Sequence, residues 1–168
     1  MVLLNRQSSG HCLISTMRRT RNTHLSKLMD CDAFLFGRQT YDLIESTARG
    51  VKDNPYYDRV DSLPKFVLSR TIKESSGNTE LIRGDAPEGI FNLKQQPGKS
   101  IMKYGNGDLS RTLIQHQLID EFYFSIIPVI VGKGRRLFDG IDTSALKLRL
   151  TGMTRFKSGI VTLSYDWE

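Results

Sequence analysis

The sequence predicts an α/β fold in which helices pack against a central, mixed and mostly parallel sheet. Short apolar runs alternate with helical patterns through the middle of the chain, and this alternation is typical of strand–helix–strand units. The last two strand-like stretches are joined only by Lys157-Ser158-Gly159, so we expect an antiparallel hairpin at one edge of the sheet. A chain of 168 residues has the length of one domain with its own core.

Each element is assigned from its local pattern. Strands are expected where apolar residues run together, and helices where they recur every three or four positions, as at Tyr41 and Ile44. Asn54-Pro55 predicts a loop, and Pro87 fits the first turn of a helix. In chain order we expect a helix at 24–31, a strand at 32–37, a helix at 38–46, a polar loop at 47–63, strands at 65–69 and 78–85, a helix at 86–96, a strand at 100–105, a helix at 108–117, a strand from 120 to near Pro128, and the hairpin at 146–167.

The net charge of +6 is concentrated near the N-terminus. Residues 1–24 carry four arginines and no acid, whereas the other 144 residues hold 20 basic and 18 acidic side chains. The nearly neutral body argues against a nucleic-acid partner, and binding to nucleic acid or another anionic surface would depend on residues 1–24 alone. We therefore expect a divergent basic segment at 1–24, with the composition of a transit peptide or a solvated arm and at most a short strand around CLIS, followed by a domain at 25–168.

Cysteine and histidine usage predicts neither a disulfide framework nor a metal site. Cys12 and Cys31 are the only cysteines, and we expect free thiols in a reducing cytoplasm. Together with the three histidines they show no spacing that would present two metal ligands together. No apolar run approaches the ~18 residues that span a membrane, so we expect a cytoplasmic protein without a membrane partner.

Two loops that follow predicted strands carry groups suited to phosphate. Gly37, Arg38 and Thr40 open a helix, where a glycine lets a ligand approach the backbone and free N–H groups favour anions. Residues 69–71, Ser-Arg-Thr, place two hydroxyls beside a guanidinium that can bind a phosphate through two hydrogen bonds. Because ligands of open α/β sheets bind at the carboxyl ends of the strands, we expect these loops to meet. For each loop taken alone, a plain turn with solvated side chains remains an alternative.

A third loop, YGNGDL at 104–109, leads from a strand into a helix. The glycines on either side of Asn106 would let a pyrophosphate lie against bare backbone N–H groups, and Asp108 is expected to cap the helix. The motif is not GxGxxG, since Ser110 stands at its last position, so a simple helix start is the alternative. A basic, glycine-rich loop at 131–140 offers a further place for an anionic substrate, or is only a flexible solvated connection.

Three strings carry a family resemblance: GRQTYD, KFVLSRT and GNGDLSRTLIQHQLIDEFYFSIIPVIVGKGRRLF. They resemble the dihydrofolate-reductase-like fold, and more narrowly the reductase (C-terminal) domain of the bifunctional riboflavin-biosynthesis deaminase/reductase and its stand-alone bacterial relatives. The resemblance covers residues 25–168. It implies a three-layer fold, a homodimer and NADPH as hydride donor to a pyrimidine- or pterin-like small molecule, as in 5-amino-6-(5-phosphoribosylamino)uracil reductase.

The resemblance also implies a cofactor site, although it names no catalytic acid. It places cofactor phosphate at Gly37, Arg38 and Thr40, the adenosine 2′-phosphate at Ser69, Arg70 and Thr71, and the pyrophosphate at Gly105, Asn106, Gly107, Asp108 and Leu109.

Two departures from the family pattern leave a second function open. The family begins with a buried strand and a Ser-Leu-Asp-Gly-like turn beside the nicotinamide, and residues 1–24 are expected to contain neither. Asn106 replaces the second glycine that is common at the pyrophosphate turn. The alternative is a catalytically impaired NADPH-binding protein of the same fold.

Overall fold

The computed structural model describes residues 2–6, 27, 30–48, 55–75, 77–105, 107–134, 136–142, 144 and 146–168. The strands are β1 (Val2–Asn5), β2 (Cys31–Gly37), β3 (Lys65–Leu68), β4 (Thr79–Ile82), β5 (Ser100–Lys103), β6 (Glu121–Ile126), β7 (Leu148–Arg155) and β8 (Val161–Trp167). The helices are α1 (Arg38–Ala48), α2 (Pro55–Ser62), α3 (Ala86–Gln95) and α4 (Asp108–Gln115). No helix in these ranges is long and apolar enough to cross a membrane.

One sheet contains all of these strands, in the order β4-β3-β2-β5-β1-β6-β8-β7. The first four pair in parallel, and the remaining pairs are antiparallel. As a result only β1 and β8 run against the common direction of the strands described. The predicted mixed, mostly parallel sheet is confirmed, and so is the C-terminal hairpin, whose turn contains Gly159 at φ +87°.

Helices cover both faces of the sheet, which gives the predicted three layers. Alternate residues of β2 face opposite sides: Ala33 and Leu35 pack with α3 and α4, whereas Phe34 and Phe36 pack with α1 and α2. All four side chains are fully buried. A parallel strand covered on both faces has no solvent side, and this is why its sequence is continuously apolar rather than alternating.

The expectation that residues 1–24 lack a first strand is wrong, because β1 lies in the middle of the sheet. It pairs antiparallel with β5 over four residues and with β6 over two, and Leu4 is fully buried. Its partners are about a hundred residues away in sequence, so no local pattern identifies the strand. Residues 7–24, including CLIS, lie outside the described residues, and the domain boundary at residue 24 stays a prediction.

Two further element predictions need correction. The loop expected at 47–63 contains the helix α2, in which Val60 is fully buried; Pro55 is its first helical residue, a position that tolerates proline. β6 ends at Ile126, two residues before Pro128. Of the helix expected at 24–31, the structure describes Lys27 and Asp30 as helical, whereas Cys31 is the first residue of β2.

Candidate functional site

The three predicted phosphate loops lie around one cavity of about 510 Å³. β2 ends at Gly37, β3 at Leu68 and β5 at Lys103, and all three residues line the cavity. Carboxyl ends of parallel strands share one edge of a sheet, and this brings together loops that are distant in sequence. The predicted site residues that line the cavity are Gly37, Arg38, Thr40, Ser69, Arg70, Thr71, Gly107, Asp108 and Leu109.

Arg38 joins the first loop to the second. Its Nε donates a hydrogen bond to Asp42 Oδ2 at 2.7 Å, and its Nη1 donates to Thr71 Oγ1 at 2.6 Å. Two of the five guanidinium N–H groups are used in these bonds. The side chain is therefore held at the cavity with its charge in place and with further donors for an anion.

The second loop is shaped by Ser69 and presents Arg70. Ser69 is only 5% exposed, and its Oγ accepts the N–H groups of Thr71 and Ile72 at 3.2 and 3.1 Å. This hydroxyl therefore fixes the turn from inside. Arg70 is exposed and lines the cavity, so it supplies the positive charge of this loop.

The third loop contacts the first at Gly105. Its backbone has φ +82°, and a Cβ built on it would stand 3.2 Å from Thr40 Oγ1. Both the left-handed conformation and this close approach favour glycine. Asn106 lies outside the described residues.

The expectation that Asp108 caps α4 is wrong. Gly107 is the N-cap, and no side chain among the residues that the structure describes caps the helix. The Asp108 side chain is 98% exposed and lies 3.7 Å from Arg111 Nη1. The first N–H groups of a helix have no acceptor within it, so this uncapped end of α4 can donate to an anion in the cavity.

Close packing brings the starts of α1 and α4 together. A Cβ built on Gly37 would lie 3.6 Å from Leu109 Cβ. Two helix N-termini at one cavity, each with a partial positive charge, favour a ligand with negative charge.

Lys103 is a cavity residue that the sequence analysis missed. It is 2% exposed, and its Nζ donates to the Gly105 carbonyl at 2.5 Å and to Ser110 Oγ. Burial lowers its pKa from 10.5 to about 8. The signal was present in the sequence, since Lys103 is the only charged residue in the run SIMKYG.

A second cavity of about 670 Å³ adjoins the first at Gly107 and Asp108. The loop at 131–140 contributes Gly134, Arg136 and Asp139 to it. Arg111 Nη2 donates to the Asp139 carbonyl at 3.4 Å, which ties this loop to α4. Arg135 lies outside the part of the chain that the structure describes.

Two carboxylates near predicted loops have structural contacts. Asp85 Oδ1 accepts the Glu88 N–H at 3.0 Å and caps α3. Asp32 Oδ2 accepts the Lys99 N–H at 2.7 Å at the amino end of β2, on the edge opposite the cavity. Within the ranges described, no three histidine, cysteine or acidic side chains form a group that could hold a metal ion.

Comparison with known proteins identifies the family. The RibD C-terminal domain matches residues 9–162. The protein YyaP of Bacillus subtilis (strain 168) is 33% identical over an alignment of 145 residues that covers 84% of this chain and 77% of YyaP. A protein assigned to riboflavin biosynthesis from Shewanella sp. PV-4 has a similar structure, with TM-score 0.69, 21% identity and coverage of 91% of this chain and 83% of its own.

The fold extends to dihydrofolate reductase. The enzyme from Enterococcus faecalis, solved with NADP(H) and RAB-propyl, has a TM-score of 0.56 at 15% identity and covers 86% of this chain and 79% of its own. The chain has the dihydrofolate-reductase-like fold and belongs to the RibD C-terminal domain family.

Proposed function

We propose that the protein is an NADPH-dependent reductase that acts on a pyrimidine- or pterin-like small molecule, resembling 5-amino-6-(5-phosphoribosylamino)uracil reductase. One observation carries the proposal: three separate loops and the end of β5 place Arg38, Arg70, Lys103 and two helix N-termini around one cavity at the carboxyl ends of the strands. Such a concentration of donors and positive charge suits a ligand with several phosphate groups.

Two parts of the cavity suit the two phosphate-bearing parts of NADPH. Arg38 and Arg70 would bind the 2′-phosphate beside Thr71, since a guanidinium pairs with a phosphate monoester through two hydrogen bonds. The uncapped start of α4 would receive the pyrophosphate. The Enterococcus faecalis enzyme of the same fold was solved with NADP(H), which supports a cofactor of this class.

When bound, NADPH supplies the hydride, and the residues of this chain bind and orient it. A rate gain from orientation depends on holding the hydride donor, NADPH, rigidly. Arg38 can contribute to this because Asp42 and Thr71 fix its side chain where the cofactor phosphate would bind. The neighbouring cavity at Arg136 offers a place for an anionic group of the substrate. Hydride transfer to a pyrimidine- or pterin-like ring is thus consistent with the site.

Calorimetric titration with NADPH and NADH tests the cofactor assignment. We expect NADPH to bind at least about tenfold more tightly, since each bond to a charged phosphate contributes about 1.5–3 kcal/mol. Arg70→Gln should remove most of that preference and leave NADH binding unchanged. Arg155→Gln, at an exposed arginine at the end of β7, is the matched control and should change neither affinity. Equal binding of the two cofactors, or no NADPH binding below about 1 mM, would refute the proposal.

The alternative is an NADPH-binding protein without turnover. β1 supplies the first strand that the sequence analysis did not expect, but the Ser-Leu-Asp-Gly-like turn of the family is still absent from residues 1–24 of the sequence. The second departure from the family pattern also remains, since Asn106 stands in place of a glycine at the pyrophosphate turn. Stoichiometric NADPH binding without oxidation across a panel of pyrimidines and pterins would favour this alternative, and turnover of any of them would exclude it.

We also propose that the protein is a homodimer. Consecutive apolar side chains at the end of β6 and beyond it are exposed, and Ile130 is fully so. β7 forms the edge of the sheet and exposes Leu150 and Met153. Exposed apolar patches and open sheet edges are typical of interfaces. Light scattering after gel filtration should give twice the 19.1 kDa chain mass, and Ile130→Asp should give the monomer; a wild-type monomer would refute the dimer.

A further inference from the structure

Lys103 is a buried cation whose position is unusual for a strand residue. It ends β5, the strand between β2 and β1 at the middle of the sheet, and it pairs with the fully buried Leu35. A lysine at 2% exposure loses most of its hydration, and such burial is disfavoured unless the ammonium gains partners. The cavity that it lines is the one assigned above to the cofactor.

We propose that Lys103 is a positioning residue for the cofactor diphosphate: its ammonium holds the glycine turn against α4 and provides a buried positive charge behind the start of that helix. This inference rests on the proposed NADPH site and goes beyond it, because it assigns a role to a side chain outside the three predicted loops.

The hydrogen bonds support a positioning role. Lys103 Nζ donates to the Gly105 carbonyl and to Ser110 Oγ, and the same Ser110 hydroxyl donates to the Gly105 carbonyl at 3.0 Å. The last strand residue is thereby tied to both the turn and the first turn of α4. These bonds hold the carbonyl oxygen of Gly105 towards the ammonium. The oxygen, which carries partial negative charge, therefore does not face an anion at the start of α4.

The other charges at the cavity do not neutralise Lys103. Arg38 comes from α1, Arg70 from the segment after β3, and Asp108 from α4. Asp108, the acid among them, is 98% exposed and lies beside Arg111. The balance at the cavity is positive, as a diphosphate requires.

Protonation of Lys103 should therefore be linked to cofactor binding. Burial sets its pKa at about 8 in the free protein, so the ammonium is present at pH 7 and loses its proton as the pH rises above 8. A nearby diphosphate favours the charged form and raises this pKa. Binding should then take up a proton in the range where the free lysine is partly neutral.

The first test uses the wild-type protein alone. NADPH is titrated calorimetrically at pH 8 in buffers of different ionisation enthalpy, and the slope of heat against that enthalpy gives the protons taken up. We expect about half a proton per NADPH, because a group with a pKa near 8 is half protonated there, and an affinity that falls from pH 8 to pH 9.5. Uptake of no proton, with an affinity independent of pH over this range, would overturn the inference without any variant.

The second test removes the charge. Lys103→Met should weaken NADPH binding at pH 7 about tenfold or more, abolish the proton uptake and flatten the pH profile. Ser110 can still donate to Gly105 in this variant, so the turn retains a hydrogen bond. The matched control is Lys65→Met, which removes another buried lysine at the amino end of β3, bonded to Asn78. It should lower the melting temperature and leave NADPH affinity and proton uptake unchanged.

The outcomes separate the two proposals. If wild-type protein binds NADPH and Lys103→Met retains its affinity and pH profile, the role of Lys103 is refuted and the reductase proposal stands. If wild-type protein binds no NADPH, the reductase proposal fails, and the same titrations are made with inorganic pyrophosphate. Proton uptake that is lost in Lys103→Met then supports an anion site at this lysine, and its absence refutes the inference.

Discussion

Leu4→Ala tests the place of β1 in the fold. Leu4 is fully buried and belongs to the core between the sheet and helices α3 and α4. Its strand pairs on both sides, with β5 and with β6. Truncation to alanine removes buried methyl groups in the middle of the sheet, where the neighbouring strands can move little to fill the space.

The expected loss of stability follows from complete burial. A leucine-to-alanine change at a fully buried site costs about 3 kcal/mol, from lost transfer free energy and from the cavity left behind. For a domain of this size, that loss lowers the melting temperature by about 6–12 °C. Leu43→Ala is the control, because Leu43 is 65% exposed on α1 and should change the free energy of unfolding by less than about 0.5 kcal/mol.

Urea unfolding followed by circular dichroism measures both variants. If Leu4→Ala loses less than about 1 kcal/mol and resembles Leu43→Ala, the side chain is not packed in the core. The central position of β1 would then be wrong, and the basic N-terminal segment would start at the first residue after all.

Three further predictions concern local contacts. Gly89→Ala should destabilise the protein by about 1–3 kcal/mol in urea unfolding, because a Cβ at this position would come within 2.6 Å of Ile82 Cγ2. An unchanged free energy of unfolding would contradict this packing of α3 on β4. Asp85→Ala should cost about 1 kcal/mol through loss of the cap on the Glu88 N–H, and Asp85→Asn should recover most of it. Burial raises the pKa of the Cys31 thiol to about 11. In a Cys12→Ser variant, which leaves Cys31 as the single thiol, an aromatic disulfide reagent at pH 8 should therefore modify the protein only at the rate of unfolding; rapid modification in native buffer would show that Cys31 is accessible.

The candidate site was predictable in its parts because each loop carries its own signal. Gly37 and Arg38 follow an apolar run, and the glycine turn at 105–107 precedes a helical pattern. Glycine, hydroxyl and guanidinium groups at strand ends favour an anionic ligand, and their meeting at one cavity is what favours a shared site over three plain turns. The fold class was predictable for a similar reason, since each strand or helix pattern depends on the spacing of apolar residues within a short segment.

Other features depended on contacts between distant residues. Asp108 has the residue type of a cap, yet Gly107 takes that position and the aspartate turns to Arg111. α2 was not predicted because its sequence is mostly polar. Val60 is buried there because it packs against the sheet, and the local sequence does not show this contact. Residue type limits what a side chain can do, and packing selects among the possibilities.

The sequence by itself determined the order of the elements in the middle of the chain, except for α2, and the residue types of the three loops, because hydrophobic period and turn residues act within a few positions. Only the tertiary structure decided that Val2–Asn5 completes the centre of the sheet and that Lys103 is enclosed beside the glycine turn. Strand pairing over about a hundred residues and the burial of a charge are properties of the assembled fold. They arise when segments far apart in sequence exclude water together.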